Sequence, residues 1–188
     1  MRNYTTFILS ILIFSPVFLV SPAQSQSLSI GVIDIQGVLK SSVAARSIRP
    51  QIDQLKQKYQ KKFRKSEADL RKLKQDLQRE RVLLPEGYQE RLKAFQRRVI
   101  KTQREIQRVN RMIDRAFGNS MRQVNQTLRD ITMEVAQERL LQFVVPKRGL
   151  IFYDKQFDIT EIVSKRLNKR LPNVLVIMPK IRQNPARK

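Results

Sequence analysis

Hydrophobic residues recur in steps of three and four along two long stretches of the chain. Such steps place apolar side chains in one stripe along a helix and are typical of coiled coils. The first stripe comprises Ile48, Ile52, Leu55, Tyr59, Phe63, Leu70, Leu73, Leu77 and Leu84. The second comprises Tyr88, Leu92, Phe95, Val99, Thr102, Ile106, Val109, Ile113, Phe117, Met121, Val124, Leu128, Ile131 and Val135. Pro85 and Gly87 between the stripes allow the chain to reverse, so the pattern predicts an antiparallel helical hairpin.

Three short runs rich in β-branched residues flank the hairpin, one before it and two after it. They cover residues 28–35, 140–145 and 150–153, and they predict three strands, with Gly149 in the turn between the last two. Both ends of the chain therefore build one small β body. Its candidate core residues are Ile30, Val32, Ile33, Val144, Val145, Ile151 and Tyr153. Sheets this small are rarely stable alone, so we expect the body to oligomerise.

Pro50 and Gly118 are two weak points in the predicted hairpin. Residues 37–49 predict a short helix, after which Pro50 either begins the next helix or kinks a continuous one. Gly118-Asn119-Ser120 is the poorest helix-forming triplet of the second arm, and in an antiparallel hairpin it lies within about one turn of the level of Pro50. We therefore predict a hinge at Pro50 and Gly118. The alternative is that Pro50 starts a helix and Gly118 permits close packing.

A further helix is predicted near the C-terminal end. Asp158 and Glu161 have the spacing of a capping box, and Pro172 ends the helix. Its apolar face comprises Ile159, Ile162, Val163, Leu167 and Leu171. The basic residues 172–188 are expected to form a flexible tail, in which the apolar run 174–178 is the one candidate for an added edge strand.

The first 23 residues have the organisation of a secretory signal peptide. Arg2 precedes an apolar run, and Ser21-Pro22-Ala23 offers small residues for a signal peptidase. A membrane anchor is the alternative, but the run is short and Pro16 interrupts it. We expect cleavage near Ala23 and an exported mature protein.

The charge and the missing residue types limit the possible functions. The chain has 38 Lys and Arg against 16 Asp and Glu, a formal net charge of +22. This favours anionic partners, which for an exported protein are lipid headgroups, lipopolysaccharide or acidic polypeptides rather than nucleic acid. The absence of His and Cys removes the usual zinc ligands, and thiol and imidazole catalysis with them. We therefore expect no enzymatic activity, no catalytic residues, no cofactor and no metal site.

The order of these segments resembles the Skp/OmpH family of periplasmic chaperones. The resemblance rests on the signal peptide, the strand Ile30-Gly-Val-Ile-Asp-Ile35, the basic hairpin, and residues 143–145, 150–153 and 158–163. It covers the mature chain to about Leu171. It implies an α+β, mostly α fold: a long antiparallel coiled-coil hairpin inserted into a three-strand body that trimerises, with jellyfish-like tentacles around a cavity. It also implies an ATP-independent periplasmic holdase that binds unfolded outer-membrane β-barrel proteins.

Client binding is expected toward the hairpin tips, where apolar residues of a two-helix hairpin stay partly exposed beside basic ones. The candidates are Phe63, Leu70, Tyr88, Leu92 and Phe95 with Lys62, Lys65, Arg91 and Arg98. The expected organisation is a signal peptide (1–23), a split β body (24–49 and 136–171), the hairpin tentacle (50–135) and a basic tail (172–188). The second function that we consider is an envelope protein that binds lipopolysaccharide or an anionic membrane surface through its basic helices.

Overall fold

The computed structural model describes residues 28–83 and 87–179, without the side chains of residues 82 and 83. The elements are β1 (Ile30–Ile33), α1 (Ile35–Ser41), α2 (Val43–Leu83), α3 (Tyr88–Glu138), β2 (Phe143–Pro146), a short 3-10 helix (Lys155–Phe157) and α4 (Thr160–Arg170). The predicted signal peptide and residues 180–188 lie outside the described residues. No helix in the described part of the chain combines the length and apolarity of a membrane span.

Helices α2 and α3 form the predicted antiparallel hairpin. Lys62 Nζ lies 2.9 Å from Glu105 Oε1 halfway along the arms, and Arg91 pairs with Glu80 nearer the tip. Gly87 precedes α3 with a φ of 82°, a conformation that glycine adopts without strain. Buried residues of the two stripes meet between the arms: Ile48, Ile52, Leu77, Val109, Ile113, Val124, Leu128, Ile131 and Val135. The hairpin prediction is therefore confirmed.

Pro50 lies inside α2, so the continuous helix is the correct alternative. The predicted helix over 37–49 is wrong in its bounds, because the break between α1 and α2 falls at Ser42. The backbone of Ser42 is extended, with φ −65° and ψ 123°, and its hydroxyl accepts a hydrogen bond from the Ala45 N–H at 3.2 Å. A serine in this position satisfies one of the unpaired N–H groups at the start of the following helix.

Two strands, rather than the predicted three, form the sheet in the described residues. β1 and β2 pair in parallel, with Ile30 opposite Phe143 and Ile33 opposite Pro146. The predicted third strand at 150–153 is absent: Ile151 and Phe152 are 106% and 86% exposed. Gly149 does have the positive φ of a turn, 101°. The chain nevertheless does not return along β2, so no neighbour supplies the ladder hydrogen bonds that a third strand requires.

Helix α4 joins the small sheet to the base of the hairpin. Its predicted apolar face is confirmed, since Ile159, Val163 and Leu167 are buried and Ile162 and Leu171 pack against the same core. Two Arg and Glu pairs add contacts with α3: Arg166 with Glu138 at 2.6 Å, and Arg170 with Glu134 at 2.7 Å. One core therefore extends from the sheet into the lower part of the hairpin.

The predicted capping box of α4 is not formed. Asp158 Oδ1 accepts from the Thr160 N–H at 2.8 Å, but Glu161 pairs with Lys165 at 2.6 Å instead of reaching back to the helix start. The hydroxyl of Thr160 accepts from the Asp34 N–H at 2.8 Å. The start of α4 is thus tied to the end of β1, and this contact replaces the reciprocal side-chain bond that the sequence predicts.

The first part of the predicted basic tail, residues 172–179, packs against the protein. Val174 is buried, and Val176 and Met178 pack against the core. The segment forms no strand pairing with the sheet. It lies instead along α2, where a side chain holds its backbone.

Candidate functional site

The five apolar residues predicted to bind clients all lie half-buried along the outer part of the hairpin: Phe63, Leu70, Tyr88, Leu92 and Phe95. Two helices bury only one stripe on each partner, so without a third helix the edges of the stripes stay accessible. The rings of Tyr59 and Phe63 lie 6.2 Å apart, tilted by 31°, at the outer end of the core. The same stripe therefore holds the arms together and offers apolar surface to a ligand.

The four predicted basic residues fall into two pairs. Lys62 and Arg91 are engaged with Glu105 and Glu80 across the hairpin. The hydrogen bond from Lys62 is the main reason why the pKa of the Glu105 carboxyl is lowered. Lys65 and Arg98 are exposed and make no ion pair within the described residues. Exposed ion pairs contribute only about 0.2–1 kcal/mol, so an acidic ligand could replace the partners of Lys62 and Arg91 at small cost.

A cleft of about 320 Å³ lies between the arms near the tip. It brings together three of the predicted residues, Phe95, Arg91 and Arg98, with Leu73, Asp76, Leu77, Glu80 and Ala94. Phe63 and Leu70 lie earlier in α2, nearer the base of the hairpin, and do not line this cleft. The predicted residues thus form a discontinuous surface along the arm rather than one pocket.

Phe117 lines a larger groove that the hydrophobic pattern does not indicate. The pattern assigns Phe117 and Met121 to the seam, but the buried positions there are Ala116 and Ser120. Phe117 is 45% exposed and Met121 half-buried. Small residues at the contact allow two helices to approach closely, and the large side chains then turn to the side of the hairpin. In the sequence, the small residues Ala116 and Ser120, spaced by four, were the signal that the seam passes through them rather than through Phe117.

Phe117 and Met121 line a groove of about 940 Å³ at the base of the hairpin, which we call the basal groove. Its apolar lining also includes Leu39 of α1, Ala45 and Ile52 of α2, and Ile113 of α3. Its charged and polar lining comprises Lys40, Arg46, Arg49, Lys56, Asp53, Asp114 and Gln36. Four cations against two carboxylates give the groove a net positive rim around an apolar floor. The sequence could indicate the displaced Phe117 but not the groove, because the groove also depends on how α1 packs beside the hairpin.

The predicted hinge residues lie beside this groove. A Cβ added to Gly118 would meet nothing within 4 Å, so the alternative that Gly118 permits close packing is wrong. Pro50, in the opposite arm, is exposed and lacks the N–H that a helical residue donates to the carbonyl four positions earlier. Whether the arms bend there stays a prediction.

The predicted oligomerisation residues divide between a core and an open surface. Val32 and Ile33 are buried, whereas Ile30, Val144, Val145 and Tyr153 are half-buried. Ile151 is exposed, as are four other large apolar residues of the β body, Leu140, Phe143, Leu150 and Phe152. We call these five residues the body patch. Several large apolar side chains exposed in one part of a soluble protein point to an interaction site.

Carboxylates give no sign of a metal site, because no cluster of three or more potential ligands exists among the described residues. One carboxylate at the body does have a shifted pKa. Burial raises the pKa of Asp158, but hydrogen bonds from Thr160 and Tyr153 and the charge of Lys147 outweigh burial, so the pKa lies below its ordinary value. These contacts hold the segment after the body patch against β1.

Comparisons with known proteins agree with this architecture. A family model described as "Outer membrane protein (OmpH-like)" matches residues 29–167. Among solved structures, a Caulobacter crescentus CB15 protein proposed to be an OmpH-like outer membrane chaperone superposes with a TM-score of 0.74. The two share 14% identity, and the alignment covers 92% of this chain and 100% of the other. No curated protein matches the chain. Because the family match includes both strands, the hairpin and most of α4, the chain belongs to the OmpH-like outer membrane protein family.

Proposed function

We propose that this protein is an ATP-independent periplasmic holdase, which binds unfolded outer-membrane β-barrel proteins and prevents their aggregation. Membership of the OmpH-like family supports a role as a periplasmic chaperone for outer-membrane proteins in general. The observation that carries the holdase mechanism is the apolar stripe, which is half-buried beside exposed basic side chains in the described outer part of the hairpin. A surface of this kind offers many weak contacts and no single deep pocket.

The chemistry of this surface fits unfolded barrel strands. Such strands alternate apolar and polar residues, so each can cover a small apolar patch while its polar side chains face water. The basic rims of the stripe and of the basal groove attract acidic segments and raise the encounter rate. Several weak contacts on one chain combine through effective concentration, and each can dissociate without ATP. We propose both the outer stripe and the basal groove as client surfaces.

We further propose that three copies assemble through their β bodies, so that three hairpins surround a client cavity. The body patch supports this assembly, since Phe143, Ile151 and Phe152 are largely exposed in the single chain. A two-stranded sheet is also too small to be stable by itself. A neighbouring body could cover the patch and supply strand partners to residues 150–153.

The test is suppression of aggregation of a urea-denatured barrel protein, followed by light scattering. Replacing Tyr88 and Phe95 by Ser removes two aromatic groups of the stripe and should weaken suppression several-fold while the assembly survives. Replacing Ile100 and Met133 by Ser is the control, because these residues are apolar groups of α3 that are exposed and lie outside the stripe. Undiminished activity of the Tyr88 and Phe95 double variant would show that the stripe is only structural.

A second candidate function is binding of lipopolysaccharide or an anionic membrane surface. It rests on the exposed basic residues of α2, such as Lys58, Lys61 and Lys65, which make no ion pair within the described residues. Salt separates the two functions. Binding to anionic lipid should disappear as ionic strength rises, whereas a held barrel protein should keep the apolar part of its affinity.

A further inference from the structure

The described C-terminal residues form a packed segment beyond the part of the chain that the family model matches. Val174 is only 2% exposed, whereas Leu175 and Ile177 are 71% and 72% exposed. Val176 and Met178 again face the core. Inward and outward positions therefore alternate with a period of two, which is the pattern of an extended chain.

Gln51 of α2 holds the backbone of this segment. Its Nε2 donates to the carbonyl oxygen of Val174 at 2.8 Å, and its Oε1 accepts from the N–H of Val176 at 3.0 Å. The same Nε2 also donates to the carbonyl oxygen of Ser47 at 2.9 Å, which fixes the side chain on its own helix. A partner that bonds the C=O of one residue and the N–H two positions later imitates a neighbouring parallel strand. The amide of Gln51 thus takes the place of a strand.

These contacts lie near the base of the hairpin, beside the proline of α2. Gln51 directly follows Pro50, which cannot donate to the carbonyl four residues earlier in α2. The base of α3 is held on α4 by the pairs Arg166 with Glu138 and Arg170 with Glu134. In the described chain, the segment that follows α4 gives the base of α2 a comparable attachment. Both arms are then fixed to the C-terminal part of the body, α3 to α4 and α2 to the segment after it.

We infer that residues 172–179 act as a strap that sets the position of the hairpin base, with Gln51 as its positioning residue. The strap restrains α2 beside its proline and so limits how far the arm moves away from the body. A consequence for client binding rests on the proposed function: by limiting this movement, the strap also limits the size of client that the cavity accepts. The strap itself does not depend on that function.

Two truncations separate the strap from the residues that follow it. A chain ending at Pro179 keeps the strap, and a chain ending at Leu171 lacks it. Because the protein has no cysteine, spin labels can be placed at Lys58→Cys in α2 and Lys165→Cys in α4. Labelled chains diluted with unlabelled ones report the distance within one chain. We expect the distance distribution to broaden for the chain ending at Leu171 and to be unchanged for the chain ending at Pro179. The same narrow distribution in both would overturn the strap.

A point substitution covers the case in which the shorter chain fails to fold. Gln51→Ala removes the amide, and Gln54→Ala is the matched control, since Gln54 is an exposed glutamine of the same helix. The hydrogen-exchange rates of the amides of residues 51–56 should rise at least ten-fold in Gln51→Ala and remain unchanged in Gln54→Ala. Gln51→Glu replaces the donor with a carboxylate oxygen that faces the carbonyl oxygens of Val174 and Ser47, so exchange should rise in this variant as well. Unchanged exchange in Gln51→Ala would overturn the strap.

Client binding is measured separately, by native mass measurement with denatured barrel proteins of increasing size. We expect Gln51→Ala to retain larger clients than the unmodified protein does. Raised exchange with an unchanged range of clients would overturn the role of the strap in client selection and leave the proposed function intact. Failure of the unmodified protein to hold any client would instead contradict the proposed function, while the exchange result would still decide the strap.

Discussion

The hydroxyl of Ser120 donates a hydrogen bond to the carbonyl oxygen of Ala116, 3.0 Å away, and both residues are buried in the contact between the arms. This pair of small residues moves the seam of α3 by one position relative to the hydrophobic pattern. Phe117 therefore lies outside the seam and lines the basal groove. Small side chains at this helix contact are therefore the reason why Phe117 contributes to the groove.

A larger side chain at Ala116 should destabilise the hairpin. Ala116 is fully buried, and inserting extra methylene groups into a packed contact typically costs about 1–3 kcal/mol. We expect Ala116→Leu to lower the free energy of unfolding by that amount in urea denaturation. Phe117→Ser, one position away, should have a smaller effect on stability but should weaken barrel holding. Equal destabilisation by the two variants would place Phe117 in the seam after all.

Gly118→Ala combined with Pro50→Ala should stabilise the hairpin. A Cβ at Gly118 finds open space, and alanine is a better helix former than glycine or proline, so we expect a gain of about 1 kcal/mol or more. The variant should also hold a narrower range of client sizes. Hydrogen exchange of the unmodified protein tests the hinge itself: amides of residues 116–122 should exchange faster than those one heptad away. Uniform protection along α3 would rule the hinge out.

The body patch should be needed for assembly and not for folding of the chain. Ile151 is fully exposed, so Ile151→Asp should yield a monomer that keeps its helical circular dichroism. Val32→Asp is the contrasting variant, because Val32 is buried within the chain and an uncompensated charge there should unfold the body as well. Val144→Asp should break assembly and unfold the body together. A trimeric Ile151→Asp protein, or a folded monomeric Val144→Asp protein, would contradict this account of the body.

The stability of the body should fall in acid through Asp158. The pKa of this carboxyl is lowered in the folded protein relative to an ordinary value of 3.8. A group with a lowered folded pKa stabilises the protein above its unfolded pKa, and this contribution is lost as the pH falls through the folded value. We therefore expect a decline in unfolding free energy that begins near pH 4 and continues below it. In Asp158→Asn the decline should be shallower, and an identical pH profile would exclude Asp158 as a cause.

Tyr153→Phe tests the same contact at neutral pH. The phenol donates to Asp158 Oδ2 at 2.9 Å, and hydrogen bonds to charged groups contribute about 1.5–3 kcal/mol. Because the contact is only partly buried, we expect a loss near the lower end of that range in thermal or urea unfolding. Tyr59→Phe is the control, since its hydroxyl makes no hydrogen bond within the described residues. Equal losses would assign the effect to the ring environment instead.

The sequence predicts the hairpin well because its signal is local and long. Residues such as Ile48 and Val135 recur at helical spacing, and spacing alone determines that they share a face. The face of α4 through Val163 and Leu167 is predicted for the same reason. Half-burial of the stripe near the tip also follows from geometry, since two helices alone cannot enclose it.

The features that the sequence does not predict all depend on partners distant in the chain. Residues 150–153 have strand composition, but a strand requires a neighbour, and none reaches them within the described chain. The strap requires Gln51, which lies more than a hundred residues before Val174 and has no distinguishing pattern. The basal groove requires α1 to pack beside the hairpin, and that placement depends on the break at Ser42. In each case the local pattern allows several outcomes, and tertiary contacts select one.

The holdase account is tested most directly by native mass measurement of the mature protein, alone and after mixing with a urea-denatured outer-membrane barrel protein. We predict a trimer in the first sample and one barrel chain bound per trimer in the second, with the complex surviving salt that removes anionic lipid. A monomer in the first sample would contradict the assembly, and a trimer that acquires no barrel protein under these conditions would contradict the function.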